Sequence, residues 1–321
     1  VRPIFDTPIT RLFHIDYPII QGAMAWLSEA ELVAAVSNEG GLGVLGASIM
    51  SVEEFEQQVV RTKQLTDRPF GVNFPLVLGD YTKHLEMVLS YGVKIVVVSA
   101  GSPKLMTQAV HDGGALCVHV VPNLKLASAV ARAGVDAVVL ESFEAGGHVS
   151  PEGITAITNI PNVSRKLKLP LIAAGGLVDG RGLAAALALG ADAVQMGTRF
   201  LATVENNAHP IYKKMVVEAG EADAPVYSIH YHPGRALRSP ALDTILEMEA
   251  QHRPNEDVRK FIGRGRARKA AHFGLLEEGM FYSGSGAGNI DEVLTVRQVF
   301  DQILGEYTET LERLRALTTP R

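Results

Sequence analysis

Short apolar runs punctuate the chain at regular intervals: PIIQGA (18–23), GLGVLGA (41–47), FGVNFPL (70–76), IVVVSAG (95–101), LCVHVVP (116–122), AVVLES (137–142), PLIAAGG (170–176) and AVQMGTRF (193–200). Each is nearly continuous in apolar residues, as parallel strands buried on both faces must be. Their starts lie roughly 20 to 35 residues apart, about the length of one βα unit. Alanine-rich helical segments separate them. Three stretches repeat one plan: ELVAAVSNEGGLGVLGA, LASAVARAGVDAVVLES and GLAAALALGADAVQMGT. In each, a helix of small packing residues meets a glycine (Gly40, Gly134, Gly190) and then a strand. Glycine suits the left-handed position that ends a helix before the turn. Eight such units either close into a barrel or lie open as a doubly wound sheet. The even spacing favours the first, an α/β chain folded as a (β/α)8 TIM barrel.

After Phe200 the rhythm stops. Residues 201–285 are richer in charge and histidine, with helical stretches such as NAHPIYKKMVVEAGE and ALDTILEMEAQHR. A final amphipathic helix is expected from about 291 to 317, its apolar positions at helical spacing. The expected division is therefore a barrel made of 1–200 and 286–321, with a mainly helical lobe, 201–285, inserted after the eighth strand. That lobe is placed to cover the barrel mouth and the substrate, and the last helix to serve as the outer partner of the eighth strand.

Composition narrows the function classes. Of 321 residues, 47% are hydrophobic and 20% charged, which describes an ordinary soluble globule. A net charge of −5 leaves no electrostatic footprint for nucleic acid or an anionic membrane. The basic stretch RKFIGRGRARK, from Arg259 through Arg268 and Lys269, reads as a solvated helical face, with an anionic substrate or cofactor handle as the alternative. The one cysteine, Cys117, excludes an internal disulfide and a multi-cysteine zinc cage. Inside LCVHVVP it reads as an inert buried thiol. VRPIFDTPITRL has no apolar signal core, and no window is long enough for a membrane span, so a cytoplasmic address is the default.

The strongest chemical signal lies at the ends of strands seven and eight. AAGGLVDG (173–180) puts Gly175 and Gly176 where a strand finishes, and QMGTRF (195–200) puts Gly197 and Thr198 at the next strand end. In such barrels the loops after these two strands hold a phosphate through main-chain N–H groups near a helix N-terminus. Tight βα turns alone would also use these glycines. Other strand ends offer what a flat ring needs. QGAMAW (21–26) supplies backbone at Gly22–Met24 and a soft thioether at Met24, which serves equally as core. Asn73 offers an amide in the ring plane, and Glu141 a carboxylate for ribityl hydroxyls or a ring N–H.

EAGGH (144–148) follows strand six, and its Gly146–Gly147 pair lets the loop lie flat while His148 reaches the mouth. An imidazole there is suited to donate or accept one proton at a reacting carbon. The remaining histidines carry less. His119 lies mid-strand, facing either core or lumen, and His209 reads as fixing a helix start. His230 and His232 are spaced for a metal pair but have no evident third ligand, so no metal site is expected. Ser142 and Ser150 lack a neighbouring base. GSGAGN (284–289) is either a helix entry or a flap over the phosphate or substrate.

Taken together, QGAMAW, AAVSNEGGLGVLGA, RPFGVN, EAGGH, IAAGGLVDGRG, AVQMGTRF and ENNAHPIYK resemble the nitronate monooxygenase / enoyl-acyl-carrier-protein reductase II family, in order from about residue 8 to 315. The resemblance implies a TIM-type barrel holding FMN without a covalent bond. Carried over by motif, it implies flavin contacts at Gly22, Ala23, Met24, Asn73, Glu141, Gly146, Gly147, Ala174, Gly175, Gly176, Gln195, Met196, Gly197 and Thr198, with His148 as the catalytic histidine. QGAMAW is similar to the QGGMAW-type form of the enoyl reductases rather than the PM-x-G-G type of many nitronate monooxygenases. Ala23, His119, Ser142 and the HVSPEG continuation depart from the reductase pattern and border the substrate space.

The implied activity is NAD(P)H-dependent reduction of an enoyl thioester by hydride transfer via flavin N5, with loop N–H groups stabilising the enolate oxygen. The alternatives are oxidation of an alkyl nitronate with O2, an NAD(P)H:quinone reductase, and a non-redox phosphate-binding barrel. Expected partners are the small-molecule or acyl-thioester substrate, an acyl carrier protein, and a second copy of the chain paired through apolar patches on 201–285.

Overall fold

The computed structural model describes residues 2–228, 233–263 and 265–317. Eight parallel strands close a barrel in chain order: Ile19–Gln21, Leu42–Gly46, Phe70–Pro75, Ile95–Ser99, Leu116–Val121, Ala137–Glu141, Leu171–Ala174 and Ala193–Met196. Each apolar run supplies one strand. The first closes on the eighth through the pairs Ile19–Val194 and Ile20–Gln195.

Period-two alternation sorts the strand residues. Ile20, Val44, Val97, Val118, Val139 and Ile172 fill the lumen, joined by Ile9 and Phe13 of the first helix, Pro8–Phe13. Val72, Val96, Val138, Leu140, Val194 and Met196 face outward under the helices. The glycines that end the repeated helices are left-handed, with φ of +91° at Gly40, +88° at Gly134 and +100° at Gly190. A side chain there would be strained, which is why the repeat carries glycine.

The last helix runs Val296–Ala316 and packs against helices Gly180–Ala188 and Ala30–Asn38, completing the outer ring. It starts later than its periodicity predicts. The Thr295 hydroxyl accepts from Gln298 N and fixes the start in a capping box, and the short 3-10 turn Ser285–Asn289 precedes it.

Residues after strand eight form helices Pro210–Val217, Pro240–Ala250, Asn255–Ile262 and Arg266–Phe273. They enclose two small cores, one around Tyr212, Leu237 and Phe281 and one around Tyr227, Leu242 and Ile245. A three-stranded antiparallel sheet joins the lobe to the barrel: Val226–Tyr227 pairs with Gly234–Arg235, which pairs with Gly147–His148 from the loop after strand six. Among the described residues, no helix is long and apolar enough to cross a membrane.

Candidate active site

A cavity of about 1760 Å³ lies over the carboxyl ends of the strands. Alternation makes its floor. Asn73, Ser99, Glu141 and Gln195 stand at inward positions near the carboxyl ends of strands three, four, six and eight, closing over the apolar lumen. The Asn73 amide donates to Val97 O at 3.3 Å and to the Ser99 hydroxyl at 3.2 Å, which holds it across the barrel wall. Glu141 has no side-chain hydrogen bond among the described residues, and burial pushes its carboxyl up to about 7. A polar layer over an apolar plug, with one carboxyl left unpaired, is a seat for a flat group with donors and acceptors in its plane.

The first-strand loop is pinned from below. Gln21 Nε2 donates to the Ser28 hydroxyl at 2.8 Å while its Oε1 accepts from Val44 N at 3.2 Å, and Met24 N donates to Ser28 Oγ at 2.7 Å. Gly22 leaves room for Gln195: a Cβ there would lie 2.8 Å from the Gln195 side chain. Ala23 lines the cavity beside it, and Met24 reaches Gly197, where a Cβ would sit 3.6 Å from its sulfur.

At strand seven, Gly175 and Gly176 take φ of +101° and +74°. A Cβ on Gly175 would meet Ser142 O at 2.8 Å, and one on Gly176 would meet Glu144 Cβ at the same distance. Only glycine fits this turn, and its main chain stays open to the cavity beside Ala174, Gly197 and Thr198. GSGAGN closes the same side: Gly284 N donates to Thr198 Oγ1 at 2.9 Å and Ser285 N to Glu144 O at 3.0 Å. The segment is thus a stitch between the loops after strands six and eight as well as a helix entry. Met196 is the exception among the predicted contacts. One step out of phase with Gln195, its side chain is buried in the outer core, and only its carbonyl takes part, accepting from Gly22 N at 3.0 Å.

His148 is exposed at the cavity rim on the two-residue strand, with the Tyr282 ring 6.2 Å away. Gly146 and Gly147 line the approach to it, and a Cβ on Gly146 would strike the Ser283 main chain at 2.5 Å. Two side chains support this loop, Glu144 from within EAGGH and Arg235 from the small sheet. Glu144 accepts from Ala156 N and so fixes the start of helix Ala156–Ser164. Arg235, buried, donates to Phe143 O and Ala224 O. Ser99 missed notice because it ends an otherwise apolar run, although its in-phase position matches Asn73.

Other candidates resolve differently. His119 faces outward from strand five, buried; Nδ1 donates to Val120 O and burial lowers its proton affinity. His209 caps helix Pro210–Val217 by accepting from Ile211 N, as its position predicted. Cys117 is buried and its thiol is pushed up to about 11. Ser142 is buried with no partner for its hydroxyl. His230 and His232 lie outside the described residues, and no cluster placed to hold a metal occurs among those described. The basic stretch divides between two helices: Arg266 donates to the carbonyls of Phe261 and Ile262, Arg268 lies 5.0 Å over the Trp26 ring, and Arg259 lines the cavity.

Glycine turns a Cβ would block, a polar floor with an unpaired carboxyl, and a rim histidine together fit a phosphate-tailed flavin, and so define a barrel oxidoreductase of the flavin-dependent class. The nitronate monooxygenase profile matches residues 6–82 and 75–306, and the chain belongs to that family. Among solved structures, FabK from Thermotoga maritima is 40% identical, with a TM-score of 0.92, over 98% of this chain and 100% of its own. A curated relative from Mycobacterium tuberculosis, a (3aS,4S,5R,7aS)-5-hydroxy-7a-methyl-1-oxo-octahydro-1H-indene-4-carboxyl-CoA dehydrogenase, is 34% identical over 74% of this chain and 68% of its own. A probable nitronate monooxygenase of Bacillus subtilis is 28% identical over 92% and 97%. Membership in an oxidoreductase family sets aside the non-redox reading.

Proposed function

We propose that the chain reduces the carbon–carbon double bond of an enoyl thioester, with FMN in the cavity and NAD(P)H as electron donor. The observation that carries this is the gathering of the Gly175–Gly176 turn, the Asn73–Ser99–Glu141–Gln195 floor and His148 around one cavity. The identity to FabK, an enoyl-acyl-carrier-protein reductase, favours this reaction within the family. FMN, when bound, supplies hydride transfer at N5. Main-chain N–H groups at Gly175–Gly176 and Gly197–Thr198 would hold its phosphate, and the polar floor would orient its ring. His148 would give the proton to the α-carbon as hydride reaches the β-carbon, so that the double bond gains one of each. The carrier of the acyl group would be an acyl carrier protein or a similar thiol, in the cytoplasm.

A second reading, oxidation of alkyl nitronates with O2, draws on the family description and the Bacillus subtilis relative. Anaerobic stopped-flow mixing separates the two. Rapid bleaching of flavin absorbance by NADH or NADPH is expected; bleaching by a nitronate alone would overturn the reductase reading. Replacement His148→Ala should lower turnover by roughly 10²–10⁴-fold while flavin content stays near that of the wild type. Unchanged turnover would remove His148 from the chemistry.

A further inference from the structure

The cavity has two unlike sides. The phosphate turns and His148 belong to strands six, seven and eight. The rest of the wall, supplied by the loops after strands two to five, contains no aspartate, glutamate, lysine or arginine, and meets the strand-six loop where Asn123 donates to Glu152. Four large aliphatic side chains stand in that wall with much of their surface in solvent: Ile49 at 60%, Val77 at 70%, Leu78 at 53% and Leu126 at 43% exposed. Clustered exposed aliphatics on a cavity wall mark a ligand surface.

Their exposure is built into the fold. Ile49 sits between two buried neighbours, Ser48 and Met50. Ser48 is held in the left-handed region at φ +45°, an unfavourable place for serine. The turn is pinned from behind by the Tyr81 hydroxyl, which donates to Ser48 O, and by His84 Nε2, which donates to Met50 O at 3.0 Å. Val77 and Leu78 belong to a 3-10 turn, Leu76–Leu78, anchored where Leu76 packs on Gly101; a Cβ on that glycine would lie 2.6 Å from Leu76 Cβ. Leu126 lies on helix Leu124–Arg132, whose Ala127 and Val130 are buried while Leu126 and Ala129 line the cavity. Three separate supports display aliphatic groups toward one space. The cavity also exceeds the roughly 300–1,000 Å³ of a site for one small ligand, so a second ligand has room beside the flavin.

We infer that this wall seats the hydrocarbon part of the substrate, with Ile49, Val77, Leu78 and Leu126 setting how long a chain the site prefers. The assignment rests on the thioester reading, since an alkyl chain attached at the reacting carbons would leave the His148 side and cross the floor toward these residues.

The test is titration calorimetry of the flavin-loaded protein with butyryl-, hexanoyl- and decanoyl-pantetheine, saturated thioesters that cannot be reduced. Affinity should rise by roughly threefold to fourfold per added methylene, and that gain should be largely lost in Ile49→Asp and in Leu126→Asp. Two variants on different loops, each checked for wild-type flavin content, guard against a local loss of fold. A flat dependence on chain length in the wild type would overturn the assignment, as would an undiminished one in both variants. So would self-association of the wild type that Ile49→Asp abolishes, which would give the wall to a second copy of the chain. Failure of NADH and NADPH to bleach the flavin would sink the reductase reading instead, and the calorimetry, which needs no turnover, reports on the wall separately.

Discussion

Glu141 is the one acid on the floor of the cavity, and burial without a partner favours its protonated form. Its carboxyl is raised from 4.5 to about 7, so its contribution to folding is fully present below about 4.5 and lost as pH rises through about 7. Glutamine has the same shape and no charge. Glu141→Gln should therefore match the wild type at pH 4 and melt higher at pH 8.5, by at most about 3 kcal/mol or several degrees. Thermal melts of flavin-stripped protein at the two pH values check this, and an equal difference at both would mean the carboxyl is solvated. Residue-scale legibility followed phase. Asn73 and Glu141 were readable as polar groups ending apolar strands, whereas Gln195 came only with the family resemblance. Met196 came only with the family resemblance, and its side chain lies in the outer core, since the sequence at a strand end does not announce which face points inward. The positions of Asn73 and Glu141 in their strands hold that information, and the same phase would have picked out Ser99.

Among the elements, the small sheet matters most, because it hangs the histidine of the barrel loop on the lobe. Arg235 binds both sides at once: Nη1 donates to Ala224 O at 2.7 Å, Nη2 to Phe143 O at 3.1 Å, and the guanidinium lies 5.3 Å from the Phe143 ring centre. Arg235→Met keeps the apolar stem but strands two carbonyls. Removing a buried charge offsets part of that loss, so a destabilisation of about 2 kcal/mol is expected. Turnover should fall more than FMN affinity, because the sheet carries His148 itself while it touches the strand-seven turn only through the loop around Phe143. Arg235→Lys, which can keep one of the bonds, should lie between. Denaturant unfolding, flavin titration and kcat measure the three effects, and a variant that loses flavin as readily as turnover would contradict the division. Strands of two residues leave no periodicity to read, which is why this sheet escaped the sequence while all eight barrel strands were visible as doubly buried runs.

At the scale of the molecule, the barrel is closed twice, once by strand pairing inside and once by the chain's last helix outside. The second closure depends on a glycine with no unusual dihedral. At Gly180, the first residue of the helix after the phosphate turn, a Cβ would lie 2.2 Å from Ile303 O and 2.4 Å from Tyr307 N, both backbone atoms of the last helix. Its N–H donates to Glu306 at 2.8 Å. One methyl here cannot be absorbed by a rotamer change, so the two helices must separate. Gly180→Ala should cost at least about 1–3 kcal/mol, the usual range for an overpacked contact, and should release flavin, because the displaced helix begins just beyond Gly175 and Gly176. Gly305 is the control. It lies within the same last helix with nothing near its would-be Cβ, so Gly305→Ala should raise stability by roughly 0.5–1 kcal/mol through helix propensity alone. Melting temperature and flavin absorbance of the two variants, measured together, decide whether the outer ring holds the cofactor turn in place: opposite shifts with flavin lost only at Gly180 support it, and a Gly180→Ala protein that melts and colours like the wild type refutes it.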